Sequence, residues 1–298
     1  MDYNGGVDTG LIATLSQKDF PPLLQEIPDA PKQLFVRGAL PPPDTFLYIG
    51  IVGARAVSPY GRRACMSLIS GLAGYPVCVV SGLALGTDAE AHKAALDAGL
   101  PTVAVLPSGV GDASIYPASN RGLAARILKE GGAVVSEYGR EARAARWTFP
   151  ARNRIMAGLS RAVLLIEASE RSGTLITARL ALDYNREILA VPHPIGSESG
   201  TGNNRLIRTG ATLVRGSEDI LEALGLISPG DPREAREREL PPDADGDERA
   251  VWEAMAEPLT RDELIGRSGL SASRANIALS SLAIRGLIVE RLGKVERA

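Results

Sequence analysis

The chain has 298 residues, 45% of them hydrophobic, and a formal net charge of -2, enough for one large core and a small second domain but not for a surface coated in positive charge. Two histidines exclude a histidine-rich metal site, and two cysteines without metal spacing, Cys65 and Cys78, exclude a disulfide framework and point to a reducing compartment. No signal-like start and no bilayer-length apolar run is present, so a cytoplasmic protein without a membrane segment is expected.

Residues 1–44 are rich in Pro and Gly and read as an N-terminal extension packing on the core. From 45 to 228, short apolar runs alternate with amphipathic stretches. Leu47–Gly53, Val77–Gly82, Thr102–Gly109, Ala133–Glu137, Ala162–Ala168, Glu187–Pro192 and Ala211–Val214 are predicted strands. Their apolar character is continuous rather than alternating, as expected where both sheet faces are covered. Tyr60–Ala73, Ala89–Ala98, Arg121–Lys129, Ile155–Leu159, Thr174–Tyr184 and Arg205–Arg208 have helical character. The order predicts an α/β fold: a doubly wound, mostly parallel, Rossmann-like sheet.

Several strands run straight into Gly, Ser or Thr: GAR after the first, SGLALGTD after the second, PSG after the third, ERSGT after the fifth. Loops at the carboxyl ends of parallel strands line the ligand crevice, and glycines there let backbone amides approach a phosphate. Asp88 and Thr174 also suit helix capping, and His92 reads as solvated or capping. The first strand lacks G-x-G-x-x-G; Ala54 and Arg55 follow Gly53. A cation there argues against a dinucleotide, and no cofactor is expected.

Between Trp147 and Arg161 the text WTFPARNRIMAGLSR packs Phe149, Arg152, Asn153 and Arg154 into six residues. A helix starting near Pro150 would carry arginines at its partially positive end, an arrangement that suits a nearby anion. Phe149 adds a flat face for a base. From Arg121 to Arg154 there are eight Lys or Arg against three Glu, a basic strip on an acidic body. The plainer reading places Phe149 in the core and pairs the arginines with carboxylates.

Residues 229–248 carry eight acids, three arginines and four prolines and read as a linker. Residues 249–298 then predict a winged helix: a helix at RAVWEAM, a second with Thr260 as N-cap and Glu263 completing a capping box, a third over LSASRANIALSSLAIRGL, and a hairpin turning at Gly293. Duplex DNA binding and protein docking are both open for this domain.

The ordered set FPPLLQEIPDAPKQLFVRG, VGAR, SGLALGTDAEAH, VLPSG with Tyr116-Pro117, SEY, FPARNRIMAGLS, IEASERSGTLITARLAL and NNRLIRTGA, spread from Phe20 to Gly225, resembles the DNA-processing protein A family (DprA, also called Smf). The resemblance implies a single-stranded-DNA-binding homodimer of natural transformation. Such a protein protects incoming strands and loads the RecA recombinase without catalysing a reaction. Carried over by motif, Gly53 and Arg55, Ser81 and Gly82, and Ser172, Gly173 and Thr174 would hold phosphates. Phe149, Arg152, Asn153 and Arg154 would line a base and backbone pocket, with Arg146 added by proximity. One departure is His193, where the family usually has Gly, expected to narrow one loop of the groove or supply a donor. Two other readings remain. A nucleotide hydrolase of phosphoribohydrolase type would draw on Glu137, Asp88 or Glu167, and a winged-helix transcription regulator would bind duplex DNA.

Overall fold

The computed structural model describes residues 11–227, 240, 243–255, 259–285, 287–291 and 294–297. Most of the 229–248 segment and the turn at Gly293 lie outside them. The chain divides into two units, Met1–Ser228 and Pro229–Ala298.

In the first unit the strands are β1 (Ile12–Ser16), β2 (Gln33–Gly38), β3 (Leu47–Val52), β4 (Val77–Ser81), β5 (Thr102–Val105), β6 (Ala133–Ser136), β7 (Ala162–Leu165), β8 (Glu187–Ala190) and β9 (Thr212–Leu213). The helices between them are α1 (Pro22–Gln25), α2 (Pro59–Ser70), α3 (Thr87–Asp97), α4 (Arg121–Lys129), α5 (Thr148–Leu159), α6 (Thr174–Asp183), α7 (Thr201–Arg208) and α8 (Ser217–Ala223). Among the described residues these strands form one sheet in the order β1-β2-β6-β5-β4-β3-β7-β8-β9. From β6 to β9 all pairings are parallel, and β2 and β1 add antiparallel at the edge. The fold is therefore a doubly wound, mostly parallel, Rossmann-like sheet.

Alternation along β4 shows why both faces read as apolar. Cys78 and Val80 join a core with Ile155, Met156 and Leu159 of α5, while Val77 and Val79 join another with Leu68 and Ile69 of α2 and Ala91 and Ala94 of α3. Both cysteines are free and buried. Burial pushes the Cys65 thiol up to about 12 and Cys78 higher still, so neither is poised as a thiolate.

The two antiparallel strands β1 and β2 fall in the stretch before residue 45, where the sequence shows only a lead-in. In β2 only Leu34 and Val36 are buried. A half-covered strand between prolines has no continuous apolar run to announce it.

The second unit contains α9 (Gly246–Ala254), α10 (Arg261–Ser268), α11 (Ala272–Ile284), β10 (Ile288–Arg291) and β11 (Lys294–Arg297), with the last two paired antiparallel. The capping box of Thr260 and Glu263 is present, and a second, of Asp245 and Glu248, starts α9. Val251, Leu264, Ala275, Leu279, Leu282 and Val295 form this unit's own core. The three helices followed by a hairpin make a winged helix.

Candidate nucleic-acid interface

The loops after β3, β4 and β7 meet the start of α5 around a cleft of about 310 Å³. Of the residues singled out from sequence, Gly53, Arg55, Phe149, Arg152, Asn153, Ser172, Gly173 and Thr174 all line it. Thr174 Oγ1 donates to the Gly53 carbonyl at 3.1 Å, and Ser172 Oγ donates to Thr174 Oγ1 at 3.0 Å while accepting from the Thr174 amide. These bonds lock the β7 loop against the β3 loop, with the partially positive start of α6 opening on the cleft. Gly173, rather than Thr174, is the N-cap of that helix.

At the mouth, the exposed Arg55 places its guanidinium carbon 5.3 Å from the centroid of the half-buried Phe149 ring. Such stacking holds the cation over an aromatic face without neutralising it. Phe149 in turn packs nearly perpendicular to Tyr116, 46% exposed, with 5.7 Å between the ring centroids. Tyr116, Leu85 and Gly82 surround a smaller recess beside the cleft. The sequence quotes Tyr116 only within a motif, and Leu85 carries no polar signal at all.

The floor is a buried polar assembly. Arg152 is 5% exposed; its Nη1 donates to the Val105 carbonyl at 2.9 Å and its Nε to Asn153 Oδ1 at 3.1 Å. A Cβ on Gly82 would fall 1.5 Å from Nη1. Gly82 is thus needed chiefly to admit the guanidinium. Burial draws the Arg152 pKa down, opposed by the charge of Asp88. Asp88 is pushed up by burial, opposed first by Arg152. Asp88 accepts from the Ala84 amide rather than capping α3, whose N-cap is Gly86 at φ +76. Any side chain at Gly86 would strike the carbonyls of Ala54 and Arg55.

Two residues carried over from the motifs, and Arg146, added by proximity, lie elsewhere. Ser81 is fully buried and donates to the Ile51 carbonyl at 2.7 Å, so its hydroxyl is occupied inside the sheet. Arg154 pairs with Glu137 and donates to the Asp29 carbonyl at 2.7 Å, tying α5 to the segment before β2. Arg146 is exposed but does not line the cleft. The basic strip divides likewise: Arg126 pairs with Asp97 and Glu130, whereas among the described residues Arg143 and Arg146 make no ion pair.

Both histidines differ from their expected roles. His92 is wholly buried against the sheet, with Nδ1 2.7 Å from Thr102 Oγ1. Thr102 donates to the Val79 carbonyl, which assigns the proton of the His92 contact to Nδ1. Burial lowers its pKa to about 3. His193 neither narrows the groove nor supplies it a donor. It is 8% exposed, its Nε2 lies 3.0 Å from the Ile166 carbonyl, its ring meets Tyr60 at 5.0 Å, and Gly200 leaves the space that it fills. Glu167 is buried with one oxygen accepting from the Ser58 amide at 2.8 Å, at the start of α2. Of the three carboxylates a hydrolase would draw on, Asp88 alone lines the cleft.

A parallel sheet whose carboxyl edge gathers an arginine without an ion pair among the described residues, an aromatic ring and two helix starts, joined to a winged helix, defines a Rossmann-like protein with an anion-receptive cleft. The chain belongs to the DNA recombination-mediator protein A family, whose model matches residues 11–225; the DprA winged helix domain matches 234–294. Protein Smf of Escherichia coli is 44% identical over 205 residues, covering 69% of this chain and 54% of that protein. The DNA processing protein DprA of Streptococcus pneumoniae is 42% identical over 200 residues, 66% of this chain and 68% of that protein. The matched part thus spans only about half the length of the Escherichia coli relative. The solved structure of the pneumococcal protein superposes with TM-score 0.65 at 38% identity, over 72% of this chain and 74% of that one. A Helicobacter pylori DNA processing protein A, described for its single-stranded DNA binding mode, gives 0.64 at 30% identity, over 72% and 96%. Among the described residues no helix is long and apolar enough to cross a membrane, and no cluster of His, Cys, Asp or Glu could hold a metal ion.

Proposed function

We propose that the chain binds single-stranded DNA in this cleft, protects incoming strands and loads the RecA recombinase onto them in natural transformation, in the cytoplasm, as a homodimer and without catalysing a reaction. The observation that carries the DNA-binding reading is Arg55 held over Phe149 at the cleft mouth, where one charge and one ring face meet an incoming nucleotide together. The Helicobacter pylori relative, described for its single-stranded DNA binding mode, supports the same ligand class here. Phe149 stacks a base, and Arg55 with the α6 start takes phosphate. Protection and RecA loading rest on family membership. The non-catalytic reading is supported by the carboxylates: Glu137 is paired, Glu167 is tied to Ser58, and Asp88 accepts from the Ala84 amide under the charge of Arg152, so among the described residues these carboxylates form no acid–base pair facing the cleft.

The test is oligo-dT binding of Phe149→Ala and Arg55→Ala at two salt concentrations. Loss of one stacked base is expected to weaken binding on the order of tenfold. Arg55→Ala is expected to flatten the dependence of log K on log salt by about 0.7. Wild-type behaviour in both variants contradicts the proposal.

A further inference from the structure

On the proposed reading of the cleft as a single-stranded-DNA site, we infer that a second stacking platform, Trp147 braced by Tyr138, continues the DNA track beyond the cleft along the carboxyl edge of the sheet. Trp147 is 66% exposed, far more than an indole with a packing role would be. Tyr138 meets it at 5.6 Å between centroids with the planes at 83°. In that edge-on arrangement Tyr138 covers at most one of the two indole faces and leaves the other for a base.

The platform is fixed. Tyr138 is held by its amide, which donates to Ser136 Oγ at 3.0 Å, and its neighbour Glu137 is paired with Arg154. The loop between them and Trp147 is pinned by the Gly109 amide donating to the Ala142 carbonyl at 2.8 Å and the Gly111 amide to the Arg140 carbonyl at 3.0 Å. A preordered ring loses little freedom when a base stacks on it.

Its place in the sheet gives the path. Tyr138 follows β6 by two residues, and Arg55 follows β3. The order β6-β5-β4-β3 separates their ends by three strand spacings, about 14 Å. Between them, Tyr116 meets Phe149 after β5. A strand entering at Arg55 and Phe149 therefore crosses Tyr116 and reaches Trp147. Arg143 and Arg146, exposed on the pinned loop and without ion pairs among the described residues, flank that route with charge for its phosphates. The ligand class is an unpaired polynucleotide of several nucleotides, without base preference, since every base has a face to stack.

The experiment titrates the full chain with long oligo-dT, following intrinsic tryptophan emission and affinity in wild type, Trp147→Phe, Trp147→Ala and Phe149→Ala. The emission component that Trp147→Phe removes is expected to be quenched on binding. Trp147→Ala is expected to lose on the order of tenfold in affinity, with Trp147→Phe recovering most of it. An unquenched component, or wild-type affinity in Trp147→Ala, overturns the inference. Phe149→Ala separates the two levels: if it still binds more weakly, only the extension falls, and if it too binds as wild type, the cleft reading falls with it.

Discussion

Arg152 occupies the volume that a side chain on Gly82 would need, and this reassigns what a glycine in a strand-end loop is for. Gly82→Ala is expected to displace the guanidinium from the Val105 carbonyl and cost about 1–3 kcal/mol, as overpacking does. Denaturant unfolding measures it; unchanged stability with weakened DNA binding would return Gly82 to a phosphate-contact role. His92 makes a separate prediction. Its folded pKa is depressed to about 3, against about 6.5 unfolded. The stability it contributes is present above pH 6.5 and is lost as pH falls toward 3, because the unfolded chain then takes up a proton that the folded one excludes. The expected slope is about 1.4 kcal/mol per pH unit. His92→Asn should flatten that part of the stability profile, and an identical slope would show that the acid sensitivity arises elsewhere.

Helix α5 shows how far the sequence could be read. Its cluster of Phe149, Arg152, Asn153 and Arg154 marked the stretch that borders the cleft, because aromatic and cationic residues at a helix start are conspicuous in any register. What each arginine faces was not legible: residues two apart on a helix point to nearly opposite sides, and the side that meets the cleft depends on where the helix begins. It begins at Thr148, not Pro150, with Arg152 turned inward and Arg154 toward Glu137 and Asp29. Likewise β3 to β9 were legible from apolar text, whereas β1 and β2 are only partly covered and carry no continuous apolar run. Arg154→Ala is expected to cost on the order of 2 kcal/mol through the loss of charged hydrogen bonds, with oligo-dT affinity per folded molecule unchanged. A variant of full stability but weakened binding would place Arg154 back on the DNA.

At the scale of the molecule, a net charge of -2 concentrates any attraction for DNA in local features. On the proposed reading, the exposed Arg55, Arg143 and Arg146 of the first unit supply them. In the second unit Arg261, Arg274 and Arg285 pair with Glu290, Asp247 and Asp243 respectively, so a duplex backbone would have to compete with those carboxylates for these three. Because each unit has its own core, a chain ending after residue 228 is expected to fold and keep its oligo-dT affinity. A large loss in a mobility assay would move DNA binding to the winged helix. The most direct test of the central claim is photocrosslinking of the full chain to oligo-dT carrying a halogenated base, with the attached peptide identified by mass spectrometry. Attachment is expected within residues 147–152, at Phe149 or its neighbour Trp147. Attachment confined to the second unit, or to the face of the sheet remote from Arg55, would contradict it.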